Sequence, residues 1–248
     1  MLKEERYARI LSILEADKKV TAALLSQTLQ LSEATVRRDL TDLDALGKLR
    51  KVHGGAVPMT SPFSFQQRRK IQPEAKRKIA QKTLPLLKGR RTILIDAGTT
   101  NLALVEQFPA DLSATCITNS PVIAQRLTQY TGIEVVVTGG RYEIHHEALL
   151  GPWTIRALQS VYADVCILGV CSLHPRYGLT TDDVEQATVK QTMIRQAREV
   201  IALVSQDKLN TVETHRVGAV GEVTTLVADL SPGDPRWDRY REQPITIL

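Results

Sequence analysis

The chain has little of several residue types and patterns that mark whole classes of protein. Aromatic residues make up only 4% of its 248 residues, and its three cysteines include no Cys-x-x-Cys pair. No uncharged apolar run reaches the roughly 18 residues of a membrane-spanning helix, and the N-terminal sequence MLKEERYARI lacks the apolar core of a secretory signal. We therefore expect a cytoplasmic protein with no membrane partner.

Metal-binding and disulfide patterns are also absent. Cys116, Cys166 and Cys171 lack metal-ligand spacing, and two of them lie in apolar runs, which favours buried, reduced thiols. His145 and His146 are adjacent, and adjacent side chains rarely bind one ion. The sequence predicts neither a metal site nor a cofactor.

Charge is unevenly distributed along the chain. The net charge is +2 over residues 1–56, +9 over residues 57–91 and −6 over residues 92–248. A basic front half favours contact with a polyanion such as nucleic acid. A solvated helix and linker over residues 66–91 would explain the same charge equally well.

The first fifty residues show the spacing of three short helices. Tyr7, Ile10, Leu11 and Leu14 form one apolar stripe, and a second helix is predicted from about Thr21 to Leu29. Ser32 is a good cap for a third helix, from Glu33 to about Leu46. Two short helices joined by so tight a turn are typical of a helix-turn-helix.

The third helix has two distinct faces. Val36, Leu40 and Leu43 cluster on one side and are expected to face the core, which turns Arg38 and its neighbours outward. Arg38 is predicted to contact a guanine, and the flanking and N-terminal residues to contact phosphates. The alternative is an ordinary solvated helix with an Arg-Arg pair. The predicted DNA-contacting residues of this helix are Ser32, Glu33, Ala34, Thr35, Arg37, Arg38 and Thr41.

A short basic hairpin is predicted directly after this helix. Residues 48–52 alternate as a strand, His53-Gly54-Gly55 supplies a turn, and residues 56–58 return. This arrangement predicts the wing of a winged helix-turn-helix domain over residues 1–58. The predicted backbone contacts of the wing are Lys48, Arg50, Lys51 and His53.

Residues 59–72 have the composition of a linker, with two phenylalanines and the run Gln66–Lys70. Pro73 then opens a helix that continues to about Leu87. Its lysines and arginine are expected either to contact phosphates or to pack against the acidic remainder of the chain.

Residues 73–248 are predicted to form a mostly parallel α/β domain. Five short strand-forming runs alternate with helical segments, as in a sheet covered on both faces. They are residues 92–95, 114–117, 134–137, 165–168 and 200–204.

Small polar residues follow these strands, where such folds bind ligands. The first strand is followed by Asp96 and the loop Gly98–Asn101, whose backbone N–H groups and hydroxyls favour a phosphate. Residues 118–121, 138–141, 169 and 178–181 occupy the ends of the others. Ordinary turn chemistry explains each loop alone, whereas the set favours a ligand site.

Several of these segments resemble the DeoR family of bacterial regulators. They are SEATVRRDL at 32–40, Asp42-Leu43, RKVHGGA at 50–56 and the Asp-x-Gly-Thr-Thr loop at 96–100. The resemblance implies a regulator, usually a repressor, that binds operator DNA as a homodimer or homotetramer. It also implies an effector domain similar in fold to ribose-5-phosphate isomerase.

By this resemblance the loop 98–101 binds a sugar or polyol phosphate, while Asp96, Glu185 and Lys208 face the sugar. The chain departs from the family at Ser205–Leu209, where Asp-x-Ser-Lys-Phe is usual. The full set of expected effector residues is Asp96, Gly98, Thr99, Thr100, Asn101, Asn119, Gly139, Gly140, Glu185, Lys190 and Lys208.

Two other functions fit the same sequence. The rear domain could be an active sugar-phosphate isomerase with an appended DNA-binding domain, because Lys208 and Glu185 are able to transfer protons. It could also serve only for assembly of a constitutive DNA-binding protein. A ligand-controlled regulator is favoured, in which a sugar phosphate changes DNA affinity by preferring one domain arrangement.

Overall fold

A computed structural model describes residues 3–17, 19–45, 48–52, 54–58 and 64–248. The chain divides into two compact units, Met1–Pro62 and Phe63–Leu248. Each unit is described separately below.

The N-terminal unit is a three-helix fold with a small antiparallel sheet. Its elements are α1 (Lys3–Asp17), β1 (Val20–Thr21), α2 (Ala22–Leu29), α3 (Glu33–Ala45), β2 (Leu49–Val52) and β3 (Gly55–Pro58). The strand order is β1-β3-β2. These elements confirm the predicted helix-turn-helix and hairpin, whereas the two-residue strand β1 was not predicted.

Local capping explains where α2 and α3 begin. The Thr21 hydroxyl accepts a hydrogen bond from the Leu24 N–H at 3.1 Å, and the Ser32 hydroxyl accepts one from the Thr35 N–H at 3.1 Å. Such caps satisfy N–H groups that have no partner inside the helix.

The apolar stripes of the three helices meet in one core. Ile10, Leu14, Val36, Leu40 and Leu43 are all buried there. The predicted inward face of α3 is therefore confirmed, and its opposite face lies on the surface of the unit.

The C-terminal unit contains a seven-stranded parallel sheet in the order β15-β14-β12-β9-β4-β5-β6. The sheet strands are β4 (Thr92–Ile95), β5 (Ala114–Thr118), β6 (Ile133–Val137), β9 (Ala163–Gly169), β12 (Ala197–Val204), β14 (Thr225–Ala228) and β15 (Thr246–Ile247). The five strand-forming runs of the sequence correspond to β4, β5, β6, β9 and β12, and the mostly parallel α/β fold is confirmed.

Helices cover both faces of this sheet. On one face lie α4 (Phe65–Lys70), α5 (Pro73–Thr83), α6 (Thr99–Val105) and α7 (Pro121–Leu127), and on the other α8 (Pro152–Gln159) and α9 (Val184–Arg195). The inner segments of the central strands are apolar because both of their faces are buried. Each face has its own hydrophobic core.

Short antiparallel strands extend the carboxyl edge of the sheet. They are the hairpin β7 (Arg141–Glu143) with β8 (Ala148–Leu150), and a three-stranded sheet of β10 (Ser172–His174), β11 (Gly178–Thr181) and β13 (His215–Gly218). Residues 178–181 had been predicted as a loop, and they form β11 instead.

The structure corrects the second half of the predicted linker at 59–72. Residues 65–70 form α4, which opens with a reciprocal capping box between Ser64 and Gln67. Phe65 is fully buried in the core of the C-terminal unit, and its N–H donates to the His145 carbonyl at 3.1 Å. A buried aromatic anchor thus makes this segment part of the unit, and residues 59–63 lie outside the described residues.

The helix predicted over 73–87 is shorter than expected. α5 ends at Thr83, and Leu84–Leu87 form a 3-10 turn. Pro85 has no N–H to donate and its ring crowds the preceding turn, so the α-helix cannot continue through it.

Candidate nucleic-acid interface and effector site

The outward face of α3 gathers most of the predicted DNA-contacting residues. Thr35 is half-buried and the others are exposed, namely Ser32, Glu33, Ala34, Arg37, Arg38 and Thr41. The structure therefore places them on one continuous surface of a single helix.

The two adjacent arginines of α3 differ in their contacts. Arg37 pairs with Glu33 one turn earlier, with 2.9 Å between Nη2 and Oε2. No hydrogen bond or ion pair holds the Arg38 guanidinium within the described part of the chain. The Arg38 side chain is thus able to reach an acceptor on another molecule.

The hairpin β2–β3 is fastened to α3 through Lys51. Its N–H donates to Asp44 Oδ1 at 3.0 Å, and its ammonium donates to the Thr41 hydroxyl at 2.6 Å. Lys48 is exposed at the start of the hairpin. The Arg50 side chain and all of His53 lie outside the described residues.

Two acidic residues of α3, Asp39 and Asp42, belong to the segments that carry the family resemblance but were assigned no role by the sequence analysis. Asp39 is buried and receives two hydrogen bonds from the Arg6 guanidinium, at 2.8 and 2.9 Å. Asp42 accepts from the Tyr7 hydroxyl at 2.7 Å and pairs with Lys3 at 2.8 Å. The sequence could have predicted a partner for Asp39, because this residue lies beside the apolar stripe of α3 and a buried acid needs a partner.

A buried ion pair lies at the carboxyl end of β4. Asp96 and Lys190 are both nearly inaccessible, and the Lys190 ammonium donates to Asp96 Oδ2 and, at 2.9 Å, to the Gly169 carbonyl. The Gly169 N–H donates to the same carboxylate at 3.0 Å. Burial opposes the charge of Lys190, but attraction to Asp96 raises its pKa. These two predicted residues therefore neutralise each other.

Two asparagines shape the adjoining loop. Asn119 Oδ1 accepts from the Ala97 N–H at 2.9 Å, and Asn101 Nδ2 donates to the Asp96 carbonyl at 2.6 Å. Asn101 Oδ1 is buried without a partner among the described residues. Both side chains are buried, so they position the loop instead of presenting their amides to solvent.

The loop itself presents unused donors. Gly98, Thr99 and Thr100 are half-buried, and the two hydroxyls make no hydrogen bond within the described ranges. The structure thus brings together Asp96, the loop 98–101, Asn119 and Lys190 at one edge of the sheet.

Glu185, Gly139 and Gly140 belong to a neighbouring corner. Glu185 pairs with Arg141, which the sequence analysis had not selected. A Cβ at Gly140 would lie 2.1 Å from the Thr154 hydroxyl oxygen and 2.7 Å from the Leu150 carbonyl oxygen. Close packing therefore accounts for Gly140 without a ligand, and Gly139 is exposed.

Lys208 lies after β12, in a 3-10 turn with Asp207, whose carboxylate is 3.4 Å from its ammonium. Lys76 of α5 is close enough to both residues for their charges to affect its pKa. Lys76 is buried and Arg68 of α4 is half-buried. Neither was predicted as an effector residue, because the first belonged to a basic helix and the second to the expected linker.

The described ranges lack two other kinds of functional feature. They contain no group of three or more His, Cys, Asp or Glu side chains that could hold a metal ion. They also contain no helix long and apolar enough to cross a membrane.

Comparison with protein families matches both units of the chain. A model of the DeoR-like helix-turn-helix domain matches residues 6–61, and a model of the DeoR C terminal sensor domain matches residues 71–230. This chain belongs to the DeoR family. The predicted family is thereby confirmed, and the protein is a DNA-binding transcriptional regulator of that family.

Named relatives align along nearly the whole chain. The HTH-type transcriptional repressor GlcR of Bacillus subtilis is 31% identical over 100% of this chain and 96% of its own length. The HTH-type transcriptional regulator GlpR of Haloferax volcanii is 31% identical over 92% of this chain and 91% of its own.

Among solved structures, ribose 5-phosphate isomerase A of Methanocaldococcus jannaschii aligns with a TM-score of 0.41 and 18% identity. The alignment covers 55% of this chain and 54% of that one. So weak a likeness supports no argument about chemistry.

Proposed function

We propose that this DeoR-family regulator is a repressor of a sugar or polyol operon and that a phosphorylated sugar or polyol controls its binding to operator DNA. The observation that supports a phosphorylated effector is the loop 98–101, whose hydrogen-bond donors are unused and lie beside the buried Asp96–Lys190 pair. The name of the relative GlcR, a transcriptional repressor, supports repression over activation.

The DNA-binding surface is α3 together with the hairpin β2–β3. A helix-turn-helix places its second helix in the major groove, and the outward residues of α3 then meet base edges and phosphates. Arg38 donates two hydrogen bonds to a guanine, while Lys48 and Lys51 contact the DNA backbone. Two such units in a homodimer or homotetramer would bind the two halves of an operator.

The effector site prefers an anion to a neutral sugar. A phosphate accepts hydrogen bonds from the Thr99 and Thr100 hydroxyls and from the N–H groups of the loop. A neutral sugar has no anion to match these donors, and each buried donor left unpaired costs about 1–3 kcal/mol. The phosphorylated ligand is therefore bound more tightly than its parent sugar.

The site favours binding over turnover. Glu185 is engaged by Arg141, Asp96 is engaged by Lys190, and Lys208 lies at the end of a different strand beside Asp207. Proton transfer in an isomerase needs an acid and a base within hydrogen-bond reach of the same substrate atoms. Each of the three already has an ionic partner, so none is left to act as that acid or base.

The test is a panel of pentose and hexose monophosphates and glycerol phosphate, each beside its unphosphorylated parent. We expect at least one phosphorylated member to raise the melting temperature of the full chain, change its affinity for DNA and remain chemically unaltered. Turnover would favour the isomerase, and no response to any member would favour a rear domain used only for assembly.

A double variant tests whether the anion binds at the loop 98–101. Thr99→Val with Thr100→Val should reduce the preference for phosphate and leave DNA binding without effector intact. Equal affinity for a sugar and its phosphate in the unaltered chain would contradict the assignment.

A further inference from the structure

The strand β6 is a free edge of the seven-stranded sheet. Within the described part of the chain it pairs with β5 on one side only. The Ala114 N–H donates to the Gly132 carbonyl at 3.3 Å, and the Thr138 N–H donates to the Thr118 carbonyl at 3.1 Å. Because the backbone groups of successive residues in a parallel ladder point to opposite sides, the odd-numbered residues of β6 direct theirs away from β5. The free edge therefore offers N–H and C=O groups to another strand.

β6 lacks the features that usually protect such an edge. Its sequence, IEVVV, contains no lysine or proline, and its register with β5 runs over all five residues without a bulge. The one charged side chain, Glu134, is turned toward β5, where it accepts from the Thr115 hydroxyl at 2.8 Å. Val136 and Val137 are exposed. An edge of this length and composition readily pairs with another strand.

Large apolar side chains are exposed at the same corner of the unit. The Thr154 hydroxyl in the first turn of α8 donates to the Gly139 carbonyl at 2.7 Å, which brings α8 beside the turn that leads from β6 to β7. Trp153 of α8 is 70% exposed, and Tyr142 of β7 is also exposed. Clustered apolar residues on a surface mark interaction sites, and tryptophan and tyrosine are enriched at protein–protein interfaces. We call β6 together with Tyr142 and Trp153 the edge surface.

Both signs of charge are present around the edge surface. Arg141 pairs with Glu185, and the Arg156 guanidinium packs over the Trp153 ring, 5.6 Å from its centroid. Nucleic acid or another strongly charged partner would need an excess of one sign, which is not found here. In a two-fold interface the same surface meets itself, so it must complement its own charges. A surface with both signs and an unpaired strand meets that requirement.

We propose that a second copy of this chain binds the edge surface, with the two β6 strands antiparallel across a two-fold axis, so that the two sheets become one continuous sheet. The inference rests on the proposed function, in which the regulator is a homodimer or homotetramer. Two edge strands related by a two-fold axis perpendicular to the sheet run antiparallel. The opposite edge strand, β15, has only two residues and is too short to serve in the same way.

The outward backbone groups specify the register of this pairing. In an antiparallel pair, two residues that exchange hydrogen bonds lie directly opposite each other. Val135 opposite Val137 of the second copy forms about four backbone hydrogen bonds. A register centred on Val135 would instead need the Ile133 N–H, which already donates to the Tyr130 carbonyl at 3.2 Å. The favoured register places Val136 opposite its own counterpart, in the closer type of pair, whose Cα atoms are about 4.5 Å apart.

The first test asks whether Val136 meets its counterpart. Val136→Cys is made in a Cys171→Ser background, which removes the half-exposed native thiol. On mild oxidation the full chain should form an intermolecular disulfide, because a Cα separation of about 4.5 Å suits this bond.

Val212→Cys in the same background is the matched control. Val212 is 45% exposed, against 40% for Val136, but it lies before β13 and outside the edge surface. We expect position 136 to crosslink at least about tenfold faster than position 212, since association raises the local thiol concentration only at the interface. Equal rates would overturn the inference.

The second test weakens the interface. Val136→Lys places two ammonium groups directly opposite each other, which destabilises a cross-strand pair. By sedimentation equilibrium of the full chain, we expect its association constant to fall at least about tenfold, and that of Val212→Lys to match the unaltered chain. The assembly lost should be the one that the disulfide at position 136 traps.

The outcomes separate this inference from the proposed function. An unaltered chain that assembles equally well with Val136→Lys would overturn the inference and leave the proposed regulator intact. An unaltered chain that is monomeric at micromolar concentration would refute the proposed homo-oligomer and the inference together. If Val136→Lys fails to fold, the ratio of the two crosslinking rates decides.

Discussion

At the scale of single residues, the Asp96–Lys190 pair places two opposite charges in the interior, at the carboxyl end of an apolar sheet. Each charge is acceptable in the interior only because the other compensates it. Asp96→Asn keeps the shape of the side chain but leaves Lys190 buried and uncompensated. We expect it to reduce the free energy of unfolding by about 3–5 kcal/mol, measured by urea titration of the full chain.

The double variant Asp96→Asn with Lys190→Met is the control for this prediction. It removes both charges, so it should lose less stability than the two single changes added together. Additive losses would mean that the two side chains are not coupled.

Arg38 is the other residue on which a specific result depends. Arg38→Ala should weaken binding to a DNA fragment selected by the unaltered chain by about 1–3 kcal/mol and relax base preference. Lys51→Ala should weaken binding to all sequences and lower the salt slope by about one unit. Gel-shift titrations at several salt concentrations measure both, and binding unchanged in both variants would show that another surface reads DNA.

At the scale of elements, α4 is the segment whose behaviour differs most from its composition. Arg68, Arg69 and Lys70 offer three adjacent trypsin sites, which an extended linker would expose. In the structure they lie on a helix whose first residue, Phe65, is buried. We expect limited trypsin digestion to spare these sites in the unaltered chain and to cut them rapidly in Phe65→Ala.

The same variant has a predictable cost. Removing a buried phenylalanine ring typically reduces stability by about 3–5 kcal/mol. Cleavage of the unaltered chain at residues 68–70 at the same rate as the variant would contradict the packing of α4.

At the scale of the whole molecule, Lys76 should affect how stability depends on pH. Its folded pKa of about 8 is lower than the usual lysine value of 10.5, so the unfolded chain binds the proton more tightly. This penalty is complete below about pH 8 and fades as pH rises toward 10.5. The unaltered chain should therefore gain stability relative to Lys76→Met between these two pH values, by up to about 3 kcal/mol.

Urea titrations of both proteins across this pH range measure the effect, and Lys78→Met serves as the reference for charge loss at the surface. If the free energy of unfolding of the unaltered chain and of Lys76→Met changed with pH in parallel, burial would not lower the pKa of Lys76.

Periodic patterns made most of the fold predictable. The stripe Val36, Leu40 and Leu43 of α3 and the apolar runs of β4, β5, β9 and β12 follow patterns that burial imposes. β15 was not predicted because a two-residue edge strand is too short to show a period, and β14, a four-residue strand between β12 and β15, was missed. α4 escaped because a single buried phenylalanine outweighs a polar composition, and no local pattern shows that the core has room for it.

The candidate site was predictable to a different extent. Polar residues directly after strands pointed to Asp96, the loop 98–101 and Asn119. No local pattern indicates that the charge of Lys190 is neutralised by a residue 94 positions away, or that Lys76 is buried. Pairings between distant elements depend on the tertiary fold, and residue types alone do not specify them.

The three cysteines differ sharply in accessibility, and this difference makes a built-in reporter available. Cys116 and Cys166 are buried, and burial raises the pKa of both thiols, that of Cys116 to about 12. Cys171 is half-exposed and receives a hydrogen bond from the Thr181 hydroxyl at 3.4 Å. A maleimide fluorophore should therefore label Cys171 selectively, and its emission would follow occupancy of the proposed effector site in real time without any engineered residue.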